Sequence, residues 1–145
     1  MTVHKPFEKH LYDKYDNKAK DALVKLLEER GHKIVSVSEN YYADVVSEYK
    51  GYTFHSEAEV KTAWSGDWPT DWDEIRIPER KSRLINKYNG CVDFYIFDNN
   101  IEQCWRIEGR KLTTDMVKPA FGRNIRSGET FYHYPYKDAE LIAVA

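Results

Sequence analysis

The stretch from Tyr41 to Trp64, YYADVVSEYKGYTFHSEAEVKTAW, constrains this chain more than any other. Its first half, Tyr42 to Val46, is rich in residues that favour extended backbone. Ser47 to Gly51 then supplies a polar connection ending in glycine, so the expectation is a β-hairpin. In the second half, successive side chains of a strand alternate between faces. Thr53, His55, Glu57, Glu59 and Lys61 therefore share one face, and Phe54, Ala58 and Val60 the other. One face is apolar and anchors the strand; the other carries chemistry.

That chemistry has a recognisable logic. Asp44 on the first strand and Glu59 on the second can converge on one cation, and carboxylate oxygens suit Mg²⁺, with Mn²⁺ as its substitute. A metal held there polarises a phosphodiester and acidifies a bound water. Lys61 points to the same face as Glu59, where it can hold the attacking water or neutralise phosphate charge. The set Asp44, Glu59 and Lys61 thus reads as a metal-dependent nuclease centre. The plainer alternative is that Glu-x-Lys decorates the solvated face of an antiparallel strand. Against it, Glu57 and Glu59 are like charges on one strand face, which costs free energy unless a cation or a basic side chain sits between them.

The 145 residues suffice for one domain spanning 1–145 with a core of its own. Cys91 and Cys104 lie in strand-like runs without a Cys-x-x-Cys partner, so both are expected to be reduced core residues of a cytoplasmic protein. The first ten residues contain no apolar leader, and no apolar run approaches the roughly eighteen residues that span a bilayer. The five histidines show no zinc spacing, and no glycine-rich phosphate loop is present.

Net charge is −2, but it is unevenly spread. Between Arg76 and Arg126 eleven Lys and Arg face six acids, and the remainder of the chain carries the acidic excess. A basic half beside an acidic metal centre suits a phosphate polymer such as DNA, unless the charges simply interleave on solvated faces. Arg76, Arg80, Lys81, Arg83 and Lys87 cluster near a helix expected from Pro78 to Asn89, with Leu84, Ile85 and Tyr88 facing inward and the basic residues at its start and exposed side.

Around this centre, Pro6 to Arg30 reads as a helix with an apolar stripe through Ala19, Leu23 and Leu27, and Gly31 as its stop. His32 to Ser38 follows as a strand. Trp64, Trp68 and Trp72 sit in a loop whose Gly66 and Pro69 oppose a helix; their rings either stack on unpaired bases or cover the core edge. Cys91 to Phe97 is an almost unbroken apolar run, as in a central strand buried on both faces. Glu102 to Ile107 is a further strand, Thr114 to Pro119 a short helix, and Phe131 to Tyr136 an aromatic run. The segment from Ala139 to Ala145 is apolar enough to pack back onto the domain.

Four stretches carry a resemblance to a known family: Leu23 to Val35, Ala43 to Val46, Glu57 to Lys61, and Ile75 to Glu79 leading into Phe94 to Ile96 and Trp105 to Ile107. In that order the chain resembles the PD-(D/E)XK nuclease superfamily, and within it the archaeal-type Holliday junction resolvases. The likeness covers roughly Asp16 to Ile107 and leaves the C-terminal third without a counterpart. It implies an α/β (α+β) fold of restriction endonuclease type, a central mixed β-sheet flanked by helices, and Mg²⁺-dependent cleavage of branched DNA. It further implies Asp44, Glu59 and the main-chain carbonyl of Val60 as metal ligands, with Lys61 the catalytic lysine. Ala43 stands where the family name has proline. The resolvases also carry a glutamate early in the first helix, where this chain has Lys20; Asp16 or Asp21 would have to substitute, and the helix register turns Asp21 outward. Two symmetric cuts in a junction imply a homodimer, for which Phe131 to Tyr136 and Leu141 to Val144 are candidate contacts unless they close the monomer's own core. A restriction- or repair-type nuclease, or a non-catalytic nucleic-acid-binding protein on the same fold, are the alternatives.

Overall fold

The computed structural model describes residues 9–37, 43–120, 125 and 128–144, with side chains of the first helix from Asn17 onward. The proposed helical start at Pro6 and the Tyr41–Tyr42 approach to the hairpin lie outside the described residues. Helix α1 (Lys9–Glu29) presents the expected Ala19, Leu23 and Leu27 stripe, each nearly fully buried. It ends where the sequence places glycine. Gly31 adopts φ +93, the Gly31 amide donates to the Glu28 carbonyl, and the His32 amide reaches back to that of Leu27 at 2.9 Å. These are the two bonds that satisfy a helix C-terminus through a left-handed residue.

Strands β1 (Lys33–Val37), β2 (Val45–Tyr49) and β3 (Tyr52–Val60) follow as an antiparallel run. The hairpin turn is tighter than the sequence suggested. Strand β2 continues through Ser47 to Tyr49, and only Lys50 and Gly51, at φ +52 and +84, make the connection. Two successive left-handed residues match the twist of the flanking strands, which makes a longer polar loop unnecessary. Ser47 is fully buried and shares a 2.8 Å hydrogen bond with His32 Nδ1.

Strand β4 (Glu74–Pro78) occupies the stretch expected to lead straight into a helix. A 3-10 turn over Glu79–Lys81 and the short helix α2 (Ser82–Lys87) come next, so the helix begins four residues later than Pro78 implied. Strand β5 (Val92–Phe97) lies parallel to β3 and antiparallel to β6 (Gln103–Glu108), and β7 (Val117–Pro119), β8 (Thr130–Pro135) and β9 (Glu140–Ala143) complete the set. The helix anticipated over Thr114 to Pro119 is instead a single 3-10 turn, Thr114–Met116, running into β7.

Two sheets result. The larger is mixed, in the order β1-β2-β3-β5-β6-β9, and the smaller is antiparallel, in the order β4-β8-β7. Across the described residues the fold is mixed α+β, with a mostly sheet core and two helices. Helix α1 covers one face of the large sheet through Leu23, Leu26 and Leu27 against Val45, Ala58, Tyr95, Phe97 and Cys104. The other face is covered mainly by the small sheet and α2, with Ile75, Ile77, Leu84, Tyr132 and Tyr134 meeting Val92, Phe94, Ile96, Trp105 and Ile107. Strand β5 feeds both cores, as its unbroken apolar run implied. Within the aromatic run Phe131 to Tyr136, the residues Phe131 to Tyr134 are buried in the chain's own core, the use that stood beside the dimer contact. Cys104 is buried, but Cys91 is exposed, so only one cysteine is a core residue. Among the described residues no helix is long and apolar enough to cross a membrane.

Candidate functional site

The site grows from the hairpin register. Val45 pairs with Ser56, so Asp44 stands just before β2 beside Glu57 on β3. The Asp44 amide donates to Glu57 Oε2 at 3.2 Å, and the Ala58 amide donates to Asp44 Oδ2 at 2.8 Å. Asp44 is thereby clamped to the partner strand by both its backbone and its side chain. Glu59, two residues on, falls on the same face as Glu57. The alternation predicted for β3 holds: Ala58 and Val60 pack towards α1, while Glu57 and Glu59 face the opposite side, where α2 lies.

Between the two glutamates stands Lys81, carried by the 3-10 turn ahead of α2. Its Nζ is 2.6 Å from Glu57 Oε1 and 3.3 Å from Glu59 Oε1. This is the basic partner that two like charges on one strand face require. Lys81 was expected on the exposed side of its helix with the other basic residues. Its side chain is only 14% exposed and turned onto the carboxylates, because the helix starts late and the preceding turn faces the large sheet. A second ammonium arrives from the other layer. Lys20 of α1 is buried, and its Nζ lies 3.5 Å from Asp44 Oδ1. Three carboxylates are thus gathered with two ammonium groups.

Burial and the neighbouring Glu57 charge push the Asp44 carboxyl up to about 7, and the Ala58 hydrogen bond, Lys20 and Lys81 only partly oppose them. The Lys81 ammonium is held well above its ordinary range. Burial opposes this, but the Glu59 and Glu57 charges and the Glu57 hydrogen bond prevail.

Lys61 is the first residue beyond β3. Its amide donates to the Phe97 carbonyl at 2.8 Å, and its Nζ lies over the Trp72 ring, 5.3 Å from the centroid. Val60 pairs with Phe97 at the end of the strand. His55 stacks on Tyr88 with ring centroids 3.8 Å apart, and the Tyr88 hydroxyl accepts from the Ala43 amide, so this pair braces the entrance to β2. Burial lowers the His55 pKa, which favours the neutral imidazole.

Among the basic residues, Arg76, Arg80, Arg83 and Lys87 are exposed as expected. Arg80 also reaches Glu129 at 3.5 Å. Trp64 is fully buried against Trp68 and Trp105, and Trp68 and Trp72 pack against the same core, so the three rings form the core edge and Trp64 offers no face to a base. Of the candidate helix acids, Asp21 is exposed and the Asp16 side chain lies outside the described residues. The helix position facing Asp44 belongs to Lys20.

The sequence marked Glu57 only as a like charge beside Glu59, and it gave Lys20 no role beyond its place in the helix. Their common signal was the unbalanced acid on β3, which demanded cations from elsewhere. Among the described residues no group of three or more His, Cys, Asp and Glu side chains is drawn together as for a bound metal ion. In kind, however, the donor set suits a hard divalent cation, since Glu57 and Glu59 turn oxygens towards one point and a cationic nitrogen already stands there.

No protein-family model matches the chain, and no curated protein matches it.

Proposed function

We propose that this protein is a Mg²⁺-dependent DNA endonuclease of the PD-(D/E)XK type. The observation that carries the reading is the convergence of Glu57 and Glu59 on one cationic position, Lys81, with Asp44 clamped to the same strand beside Glu57 and Lys61 at the strand's exit. Asp44, Glu59 and the Val60 carbonyl would hold the metal, with Glu57 beside them. When bound, it would polarise the scissile phosphate and acidify a water. The chain's own groups do the rest. The Ala58 amide fixes the Asp44 carboxylate, and Trp72 supports the Lys61 ammonium from one side. Arg80, Arg83 and Lys87 offer cations to backbone phosphates on the surface above α2.

Branched DNA is the substrate class suggested by the resemblance, and a homodimer the matching assembly. The decisive test is cleavage of linear, flap and four-way-junction DNA with Mg²⁺ or Mn²⁺, using the wild-type protein and Glu59→Gln. Metal-dependent cutting by the wild type alone supports the reading, and equal cutting by both proteins removes the centre from Glu59. Sedimentation with and without junction DNA tests the resolvase assignment, which a strictly monomeric protein would sink.

One feature favours the second reading, a non-catalytic nucleic-acid-binding protein: Lys20 and Lys81 already compensate much of the carboxylate charge. Salt-dependent DNA binding without cleavage under any divalent metal would select it.

A further inference from the structure

We propose that Lys81 is a tethered counter-ion that competes with the divalent cation, so that metal enters this site by exchange with the Lys81 ammonium. The inference rests on the nuclease reading for the identity of the cation, and on geometry for the exchange. Lys81 Nζ contacts Glu57 and Glu59 at 2.6 and 3.3 Å and so stands where their oxygens converge. An ammonium there and a Mg²⁺ ion on Asp44, Glu59 and the Val60 carbonyl would both draw on the Glu59 oxygens and repel one another, so each excludes the other.

The exchange also has a direction. Side-chain exposure rises from 7% at Glu57 through 14% at Lys81 to 22% at Glu59. The cluster therefore opens towards solvent on the Glu59 side, and Lys81 can leave along that path by rotating its own four-carbon stem without disturbing the backbone. It is carried by a 3-10 turn rather than by a strand of the large sheet, so its departure breaks no ladder hydrogen bond. Lys20 has no such path. It is buried under α1 against Asp44, which suits a fixed counter-charge for that carboxylate. The two lysines thus differ in role, one fixed and one exchangeable.

The test is Mn²⁺ binding to the DNA-free protein, followed by electron paramagnetic resonance at low ionic strength. Lys81→Met should bind Mn²⁺ about tenfold tighter than the wild type, as expected when a competing unit charge is removed. The gain should vanish in Lys81→Met combined with Glu59→Gln. Equal or weaker binding by folded Lys81→Met, or a gain that survives the second substitution, overturns the proposal.

Because Lys81→Met strands buried carboxylates, a measurement on the wild type stands beside it. Acetylation of Lys81 by acetic anhydride, read by peptide mass spectrometry, should be slow without metal and several-fold faster with Mg²⁺. Unchanged labelling overturns the proposal even if the variant does not fold. The two readings also part cleanly. Tighter Mn²⁺ binding without DNA cleavage keeps the exchange and removes the nuclease, whereas cleavage with unaltered Mn²⁺ affinity does the reverse.

Discussion

Two ion clusters occupy opposite halves of the large sheet, and they are built differently. At the β2–β3 end, Asp44, Glu57 and Glu59 meet Lys20 and Lys81 in a largely buried setting. At the β5–β6–β9 end, Arg106 joins Asp93 at 2.9 Å, Glu108 at 3.7 Å and Glu140 at 3.5 Å, while Arg30, Arg110 and Lys111 add further cations. The second cluster has more cations than acids, and around its half-buried Arg106–Asp93 centre it opens to water at the rim, where Arg110 is 73% exposed and Glu140 45%. In composition the two look alike. Burial and balance separate them, since a surplus charge at the open end is screened by solvent, whereas at the buried end it must be met by a proton, a lysine or a metal. Burial first, and the neighbouring Glu57 charge second, drive the Asp44 carboxyl up to about 7 there.

The strongest way to sharpen the contrast is catalytic. Asp44→Asn or Glu59→Gln should lower metal-dependent DNA cleavage by about 10²-fold or more, a loss of the size seen when groups that stabilise developing charge are removed. DNA binding should be kept or tightened, because a negative charge beside phosphate is lost. Glu108→Gln at the open end should leave cleavage unchanged; a comparable loss there would abolish the distinction.

Stability should divide the clusters next. Lys81→Met leaves buried carboxylates facing one another and should cost about 3 kcal/mol in urea unfolding. Arg110→Met, in an exposed pair discounted for solvent screening, should cost less than about 0.5 kcal/mol. Similar midpoints for both variants would show that burial is not the deciding variable.

A packing test sits beside the open cluster. A Cβ on Gly109 would stand 2.5 Å from the Val92 carbonyl oxygen and 2.9 Å from its Cγ1. Gly109→Ala should therefore cost about 2 kcal/mol, although it alters no charge. A neutral result would mean that β5 yields more readily than its two-sided burial implies.

The smallest effect concerns the cysteines. Burial pushes the Cys104 thiol up from its ordinary 9.0 to about 12, whereas Cys91 is exposed. Iodoacetamide at about pH 8 should modify Cys91 alone in the native protein. The folded state keeps the Cys104 proton longer than the unfolded chain does. Its contribution to stability is therefore complete below pH 9 and is lost as pH rises towards 12. Alkylation of both thiols at one rate would place Cys104 at the surface.

The local part of this protein was written in the sequence. Periodicity specified α1 and its glycine stop, the alternation of β3, and the double burial of β5, because each depends on neighbours a few residues away. The shared face of Glu57 and Glu59 followed from the same alternation. Tertiary structure alone decided what meets them. Lys20 and Lys81 lie 24 residues before Asp44 and 24 after Glu57, on elements whose placement is set by packing against the two faces of the large sheet. Pro78, a fair start for a helix in isolation, instead ends β4, because pairing with β8 and burial of Ile75 and Ile77 outweigh a local preference. That strand delays α2, and the delay turns Lys81 from the solvent onto the site. Alternation can state that charges share a face, but only the packing of distant layers determines which counter-charge stands between them.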